Sequence, residues 1–451
     1  MRNRVPAVAA ALVVALVACA CGARGPSGGG YGDTGEITYW MWDSGQLPAY
    51  QQCANDFEAT HPDIDVTIEQ MGWDNYWGRL LTAFVSDAAP DVFVDHTSKY
   101  GDYVSRGLIE PLDGLVEESG IDLGQYVDGT ARLWVGPDGR RYGLPKDFDA
   151  VGLFYNTEMA AAAGVTPAQM QELTWNPADG GTYEDVIARL TVDRNGVRGD
   201  EPGFDRNAVA TYGIGLSDDL GAGAGQTQWS MYAAATGWSH TDRELWGTRF
   251  NYDDPRFQDT ISWWRGLIEK GFMPPLEQTI GGSLSQQLQA GRYAMVTEGS
   301  WNINTFAQLG GISLATAPTP IGPSGERATM SNSLADSIST GSPNKGAAWE
   351  WVRYLASPEC QSVVGQGGVV LPAIASEVPA AEARLAEHGY DITAFTRQVR
   401  DGTTVLYPVA ENAADVDSVM KNAMERVMSF AADPSSLTEV NAEVNALFTS
   451  G

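Results

Sequence analysis

Short apolar runs and amphipathic stretches alternate along this chain from residue 37 onward. Residues 37–42 form an apolar run typical of a strand, and Pro48 then opens a helix with one apolar face. That face consists of four residues spaced i, i+3, i+4 and i+7: Tyr50, Cys53, Ala54 and Phe57. Strand and helix patterns continue to alternate, which predicts an α/β fold with mostly parallel sheets covered by helices.

The first 35 residues follow a different pattern. Arg2 and Arg4 precede a small-apolar run, residues 5–18, which is too short to span a bilayer and predicts a signal peptide over 1–18. The small residue before Cys19 resembles a bacterial lipobox, in which Cys19 is acylated; Cys21 fits less well, and an ordinary secretory signal is the alternative. Residues 19–35 are rich in glycine, which predicts a lipid-anchored flexible tether.

Charge and composition exclude several classes of function. The formal net charge of −29 argues against nucleic acid and against adhesion to anionic lipid, so membrane contact is expected through the lipid anchor only. Cys53 and Cys360 remain in the folded part and form a candidate disulfide in an oxidising compartment. The four histidines are far apart and no phosphate-loop motif occurs, so we expect neither a metal nor a cofactor.

One segment invites a calcium interpretation. Residues 193–200 begin like a calcium loop at Asp193, but Val197 and Arg198 stand where an EF-hand needs an oxygen ligand and glycine. Asn195-Gly196 is by itself a strong turn signal, so we favour a hairpin there over a calcium site.

Seven segments, in this order and spacing, resemble the carbohydrate-binding extracellular solute-binding proteins of bacterial ABC importers, the group that includes maltose-binding protein. They are residues 38–43, 89–94, 107–113, 142–147, 153–156, 289–295 and 299–301. The resemblance implies a two-lobe periplasmic-binding-protein-like fold, with a mostly parallel sheet flanked by helices in each lobe and a ligand cleft at the hinge.

The resemblance also implies a division of the chain. Lobe one is expected to hold 36–147 plus 310–365, and lobe two 148–309 plus 366–451. This division places Cys53 and Cys360 on helices of one lobe, where a bridge becomes geometrically feasible.

The same resemblance, together with the lipobox, leads us to expect a monomeric lipoprotein on the outer face of the cell membrane. We expect it to capture a mono- or oligosaccharide between its lobes and to deliver it to ABC permease subunits, without catalysing a reaction. One alternative keeps the fold but changes the cargo to a polyol, an aminosugar or a glycerol phosphodiester. Another is a secreted glycoside hydrolase, which needs two carboxyl groups about 5–9.5 Å apart.

A sugar needs an aromatic face for its C–H groups and planar polar groups for its hydroxyls. We expect these groups at strand ends, at the first hinge crossing and on the loop after residue 298, with Trp301 as first choice for stacking and Trp229 second. The candidate ligand-binding residues are Trp40, Trp42, Asp43, Asp95, His96, Lys146, Asp147, Asp149, Trp229, Gly299, Trp301 and Asp336. Trp238 is a further candidate for stacking, after Trp301 and Trp229.

Several of these candidates also fit structural roles that involve no ligand. Asp43 and Asp95 also fit helix caps, Lys146 and Asp149 also fit an ion pair with each other, and His96 also fits an ordinary surface residue. Tryptophans at helical spacing are assigned to packing in the core: Trp73, Trp77, Trp263, Trp264, Trp349 and Trp351.

Overall fold

The structure, a computed structural model, describes residues 34–387, 389 and 391–448. The predicted signal peptide, the lipidation candidate Cys19 and nearly all of the tether lie outside these residues. The first strand begins at Gly35, one residue before the predicted start of lobe one.

The strands of the described chain are β1 (Gly35–Met41), β2 (Ile64–Gln70), β3 (Val92–His96), β4 (Leu144–Asp149), β5 (Val151–Asn156), β6 (Val192–Asp193), β7 (Val209–Thr211), β8 (Met295–Gly299), β9 (Leu314–Ala317), β10 (Thr329–Ile338), β11 (Leu371–Pro372) and β12 (Thr404–Leu406).

The α-helices are α1 (Leu47–Thr60), α2 (Trp73–Val85), α3 (Tyr100–Ser105), α4 (Asp113–Ser119), α5 (Thr130–Leu133), α6 (Thr157–Ala162), α7 (Pro167–Gln171), α8 (Gly181–Leu190), α9 (Ser230–Ala235), α10 (Pro255–Glu269), α11 (Leu284–Gln289), α12 (Ile303–Ala307), α13 (Lys345–Leu355), α14 (Pro358–Gly367), α15 (Val378–Glu387), α16 (Thr393–Arg400), α17 (Ala413–Met428) and α18 (Leu437–Ala446).

A seven-stranded sheet organises the first lobe. Its order is β11-β4-β10-β3-β1-β2, and β12 also pairs with β10. Strands β2, β1 and β3 are parallel, whereas β10 runs antiparallel to both β3 and β4. The sheet is therefore mixed. Its parallel pairs are those of β2, β1 and β3 in the first 100 residues, where strand and helix alternate strictly, and that of β12 with β10.

A three-stranded sheet, β8-β5-β9, organises the second lobe. Strand β5 is antiparallel to both of its neighbours, so the expectation of a mostly parallel sheet in this lobe was wrong. Alternation of strands with helices shows that helices cover a sheet, but it does not fix the end from which the chain re-enters that sheet. The two-lobe architecture itself is confirmed.

Strand pairing also corrects the predicted lobe boundaries. Strand β9 pairs with β5 in the second sheet, although residues 310–365 were assigned to lobe one. Strand β11 pairs with β4 in the first sheet, although residues from 366 onward were assigned to lobe two. The chain crosses between the sheets at Ala150, where β4 passes directly into β5, and again between β9 and β10.

The predicted apolar face of α1 is buried as expected, and it joins the core of the first lobe. Cys53 on α1 and Cys360 on α14 form a disulfide within that lobe, with a Cα–Cα distance of 5.3 Å. The bridge therefore ties two helices that lie 307 residues apart in sequence.

Two local features complete the description. The Asp193 carboxylate accepts hydrogen bonds from the backbone N–H groups of Asn195, Val197 and Asp205, and Gly196 occupies the left-handed region. The predicted turn is thus confirmed, with this carboxylate engaged by backbone donors.

Across the described residues, no helix combines the length and the apolar character needed to cross a bilayer.

Candidate functional site

A cleft of about 770 Å³ opens between the two lobes, a volume typical of small-molecule sites. The first lobe contributes the loop after β1, the start of α2 and the end of β3. The second lobe contributes the loop over residues 217–227, the start of α11 and the segment after β8. The hinge contributes Asp149, Tyr407 and Pro408.

Three tryptophans form one wall of this cleft. Trp42 follows β1, and Trp73 and Trp77 lie on the first turns of α2. Their ring centroids are 5.1–5.2 Å apart in each pairing, so the indoles support one another. Trp73 is 44% exposed, which leaves much of its ring available to a ligand.

Trp301 lines the cleft from the second lobe, just after β8. Its ring folds back over Gly299, where an added Cβ would lie 2.1 Å from the nearest ring atom. Gly299 does not line the cleft itself, but its missing side chain makes this position of the Trp301 ring feasible.

His96, at the end of β3, also lines the cleft. Its ring nitrogens contact the Ser98 hydroxyl at 2.8 Å and the Asn332 amide at 2.7 Å. Burial lowers the pKa of His96 from 6.5 to about 3, so the ring is neutral at neutral pH.

Two carboxyl groups at the cleft have strongly perturbed acidity. Asp149, on the hinge, accepts a hydrogen bond from the Ser300 hydroxyl at 2.7 Å. Glu298, at the end of β8, accepts from the backbone N–H of Gly299 at 2.8 Å. Burial raises the pKa of each to about 7, so both titrate near neutral pH.

Asp43 completes the set of predicted residues that the structure brings together at the cleft. Its two oxygens accept hydrogen bonds from the backbone N–H of Gly45 and from the side-chain amide of Gln46. The alternative role of Asp43 as a helix cap was wrong, because the N-cap residue of α1 is Gln46 and no side chain caps it. Asp43 lines the cleft instead.

Four predicted residues lie beneath the cleft surface instead. The Lys146 ammonium donates to the Tyr39 hydroxyl at 2.8 Å and lies 3.5 Å from Asp336, and both charged side chains are almost fully buried. Asp147 is also fully buried, and its Oδ2 has no hydrogen-bond partner in the described chain. Asp95, the fourth of them, accepts from the Ser337 hydroxyl at 2.9 Å.

Two predicted stacking residues belong to cores. Trp229 is fully buried among Trp238, His240 and Phe257 of the second lobe. Trp40 is 6% exposed, with the Arg79 guanidinium 4.6 Å from its ring centroid. Neither lines the cleft, so we no longer propose stacking roles for them.

Two tryptophans of α2 line the cleft, although the sequence pattern placed them in the core. Trp73 and Trp77 are spaced i, i+4, which is also the spacing of a buried helix face, and this spacing assigned them to packing. The useful signal was their place in the chain: α2 begins three residues after β2, at the carboxyl edge where open α/β sheets bind ligands.

Residues 43–362 match the family described as bacterial extracellular solute-binding protein. That match covers most of the chain and includes Trp73, Trp77 and Trp301 of the two cleft walls, although it begins one residue after Trp42. The chain belongs to this family. Membership places this solute-binding protein outside the cytoplasm and among binding proteins.

Individual relatives agree with this assignment. A lactose-binding protein of Rhizobium radiobacter is 28% identical to the solute-binding protein over 177 residues, 38% of each chain. The substrate-binding protein Lmo0181 of Listeria monocytogenes, solved with cycloalternan, has a TM-score of 0.77 at 18% identity and covers 92% of this chain and all of its own. UgpB of Mycobacterium tuberculosis, solved with glycerophosphocholine, has a TM-score of 0.75 at 16% identity, covering 92% of this chain and 99% of its own. At such identities, these two structures show the fold alone.

Proposed function

We propose that this protein captures a mono- or oligosaccharide between its lobes and delivers it to the permease subunits of an ABC importer. The observation that carries the proposal is the pairing of tryptophan faces with carboxyl groups in one interlobe cleft. Trp73 and Trp301 supply apolar faces from opposite lobes, while Asp149 and Glu298 supply hydrogen-bond acceptors for hydroxyls. The lactose-binding relative supports the same class of ligand.

Closure of the lobes is the mechanical step in this proposal, and no bond is made or broken. A ligand that contacts both walls binds the closed arrangement better than the open one. The ligand can shift the equilibrium toward the closed arrangement only by as much as its affinities for the two arrangements differ.

A glycerol phosphodiester fits this cleft less well, although the fold also hosts one in UgpB. Phosphate sites use arginine, lysine or helix N-termini. The starts of α2 and α11 lie at the cleft, but the described lining holds one lysine, Lys99, and six acidic side chains, whose negative charge repels a phosphate.

The direct test is titration of the protein, lacking residues 1–33, with mono-, di- and trisaccharides, followed by calorimetry and tryptophan fluorescence. We expect saturable one-to-one binding of at least one sugar, with a change in emission because tryptophans line the site. No heat and no fluorescence change across the panel would contradict the proposal. Release of reducing ends would favour the glycoside hydrolase instead.

The lipid anchor at Cys19 is a separate part of the proposal. In the native host, we expect the full-length protein to fractionate with the membrane and to incorporate labelled fatty acid. The Cys19→Ala variant is expected to lose the label, and Cys21→Ala serves as its control. Labelling that survives Cys19→Ala would show that another residue is acylated.

A further inference from the structure

The cleft lining carries many more acidic than basic side chains. Its described lining includes one lysine, Lys99, and six carboxylate residues: Asp43, Asp149, Asp218, Asp219, Glu298 and Asp417. None of the six forms an ion pair with a lysine or arginine in the part of the chain that the structure describes. Lys99 itself lies near His96 and Asp102.

Some of these carboxylates already have local partners. Asp219 accepts from the Ser217 hydroxyl and from the backbone N–H of Gly221, and Asp417 accepts from the backbone N–H of Gly223. Together with Asp43, they shape the loops that line the cleft. They add negative charge there, but their main contacts are internal.

Asp149 and Glu298 differ because they are buried and still face the cleft. Their residues are 4% and 8% exposed, and both line the site. Asp149 uses one oxygen for Ser300, while its Oδ2 has no hydrogen-bond partner among the described residues. A carboxylate in such a place is costly unless a donor or a cation meets it.

Like charges stand beside each of these two groups. Asp43 acts electrostatically on Asp149, and Asp219 acts on Glu298. One pair is at the first-lobe and hinge side of the cleft, and the other is at the second-lobe side. A cationic group bound beside either pair relieves the repulsion within that pair.

We propose that the cleft selects a carbohydrate that carries a protonated amine over the same carbohydrate with a hydroxyl at that position. This inference rests on the proposed function and names its substrate class. A protonated amine offers several N–H donors and a positive charge, whereas a hydroxyl offers one donor. Charge-assisted hydrogen bonds are roughly twice as strong as neutral ones.

Matched ligands test this selection without altering the protein. The pairs are glucosamine with glucose, galactosamine with galactose, mannosamine with mannose, and the β-1,4 disaccharide of glucosamine with cellobiose. Calorimetry at pH 7 leaves most of each amine protonated, while the Asp149 and Glu298 carboxyls, whose pKa values are about 7, are about half ionised before the ligand binds. In at least one pair we expect the amine to bind about tenfold more tightly, and N-acetylation to abolish the gain.

Variants then assign the preference to the buried carboxyls. Asp149→Asn and Glu298→Gln are each expected to reduce the ratio of amine to neutral affinity by about threefold or more. Asp65→Asn, at an exposed position on β2 outside the cleft, is the matched control and is expected to keep the wild-type ratio.

The outcomes separate this inference from the proposed function. Equal affinities in every pair, tighter binding of the neutral members, or a ratio unchanged in both variants would overturn the inference and leave sugar binding intact. Failure of every sugar to bind, charged or neutral, would overturn the proposed function and this inference with it.

Discussion

Replacing Trp73 with alanine removes the most exposed aromatic surface of the cleft. Trp73 is 44% exposed without a ligand and lies on the first turn of α2, at the cleft. The remaining part of the ring packs on Trp42 and Trp77. The variant therefore tests directly whether this aromatic wall holds the ligand.

The expected magnitude follows from the exposed area. A tryptophan side chain has roughly 250 Å² of surface, so 44% leaves roughly 110 Å² open to a ligand. A sugar ring that covers half of it buries roughly 55 Å², worth about 1.4 kcal/mol at 25 cal/mol per Å². We therefore expect Trp73→Ala to weaken binding of the best carbohydrate in the panel about tenfold.

Calorimetric titration measures the loss, and Leu81→Ala is its matched control. Leu81 lies on the same helix and is 45% exposed, but it does not line the cleft. We expect Leu81→Ala to bind as the wild type does and Trp73→Phe to retain most of the affinity. Thermal melting of each variant checks that the fold persists. An unchanged affinity in Trp73→Ala, or an equal loss in Leu81→Ala, would falsify the assignment of Trp73 to the ligand site.

Three further predictions concern stability. Lys146→Met is expected to lower the free energy of unfolding by about 3–5 kcal/mol in urea titrations, because it leaves Asp336 buried without its cation; a loss below about 1 kcal/mol would contradict the ion pair. Replacing both Cys53 and Cys360 with serine is expected to lower it by about 3–5 kcal/mol, because the bridge closes a very long loop in the unfolded chain. A reductant is expected to reproduce that loss, and a melting temperature insensitive to both changes would exclude the bridge. Asp149, whose pKa burial raises from 3.8 to about 7, binds a proton more tightly in the folded state. The stabilisation of the folded state by the protonated Asp149 carboxyl is complete below about pH 4 and is lost as the pH rises through 7. The free energy of unfolding of Asp149→Asn is therefore expected to fall less steeply between pH 5 and 8 than that of the wild type. A slope identical to that of the wild type would refute this.

Periodicity predicted individual elements well, because local spacing determines which side of an element can be apolar. The four-residue face of α1 and the strand in the apolar run that precedes it lie where their patterns placed them. The antiparallel direction of the strands in the second sheet could not be predicted from local periodicity. It depends on the end from which the chain re-enters the sheet after a long helical segment, and no local pattern records that.

The tryptophans show the same limit at the level of the site. Trp73 was assigned to packing, and it lies at the cleft; Trp229 was assigned to stacking, and it is fully buried. Both are indoles beside the start of a helix, so residue type cannot separate them. The difference is tertiary: α2 begins at the carboxyl edge of the first sheet, whereas α9 starts inside the core of the second lobe.

A contact outside the cleft also connects the two lobes. The Trp246 indole, on a second-lobe loop, donates to the backbone carbonyl of Val135 at 2.6 Å, and Arg132 pairs with Glu244 at 2.8 Å. Any rotation that separates the lobes here breaks a hydrogen bond worth about 1 kcal/mol, which corresponds to a roughly fivefold change in the ratio of the two arrangements. The Lys146 network, in contrast, lies wholly within the first lobe and does not change with that rotation. A ligand that contacts both Trp73 and Trp301 therefore shifts an equilibrium between lobe arrangements that the Trp246 hydrogen bond already shifts. The measured affinity includes the energies of the ligand contacts and of this hydrogen bond.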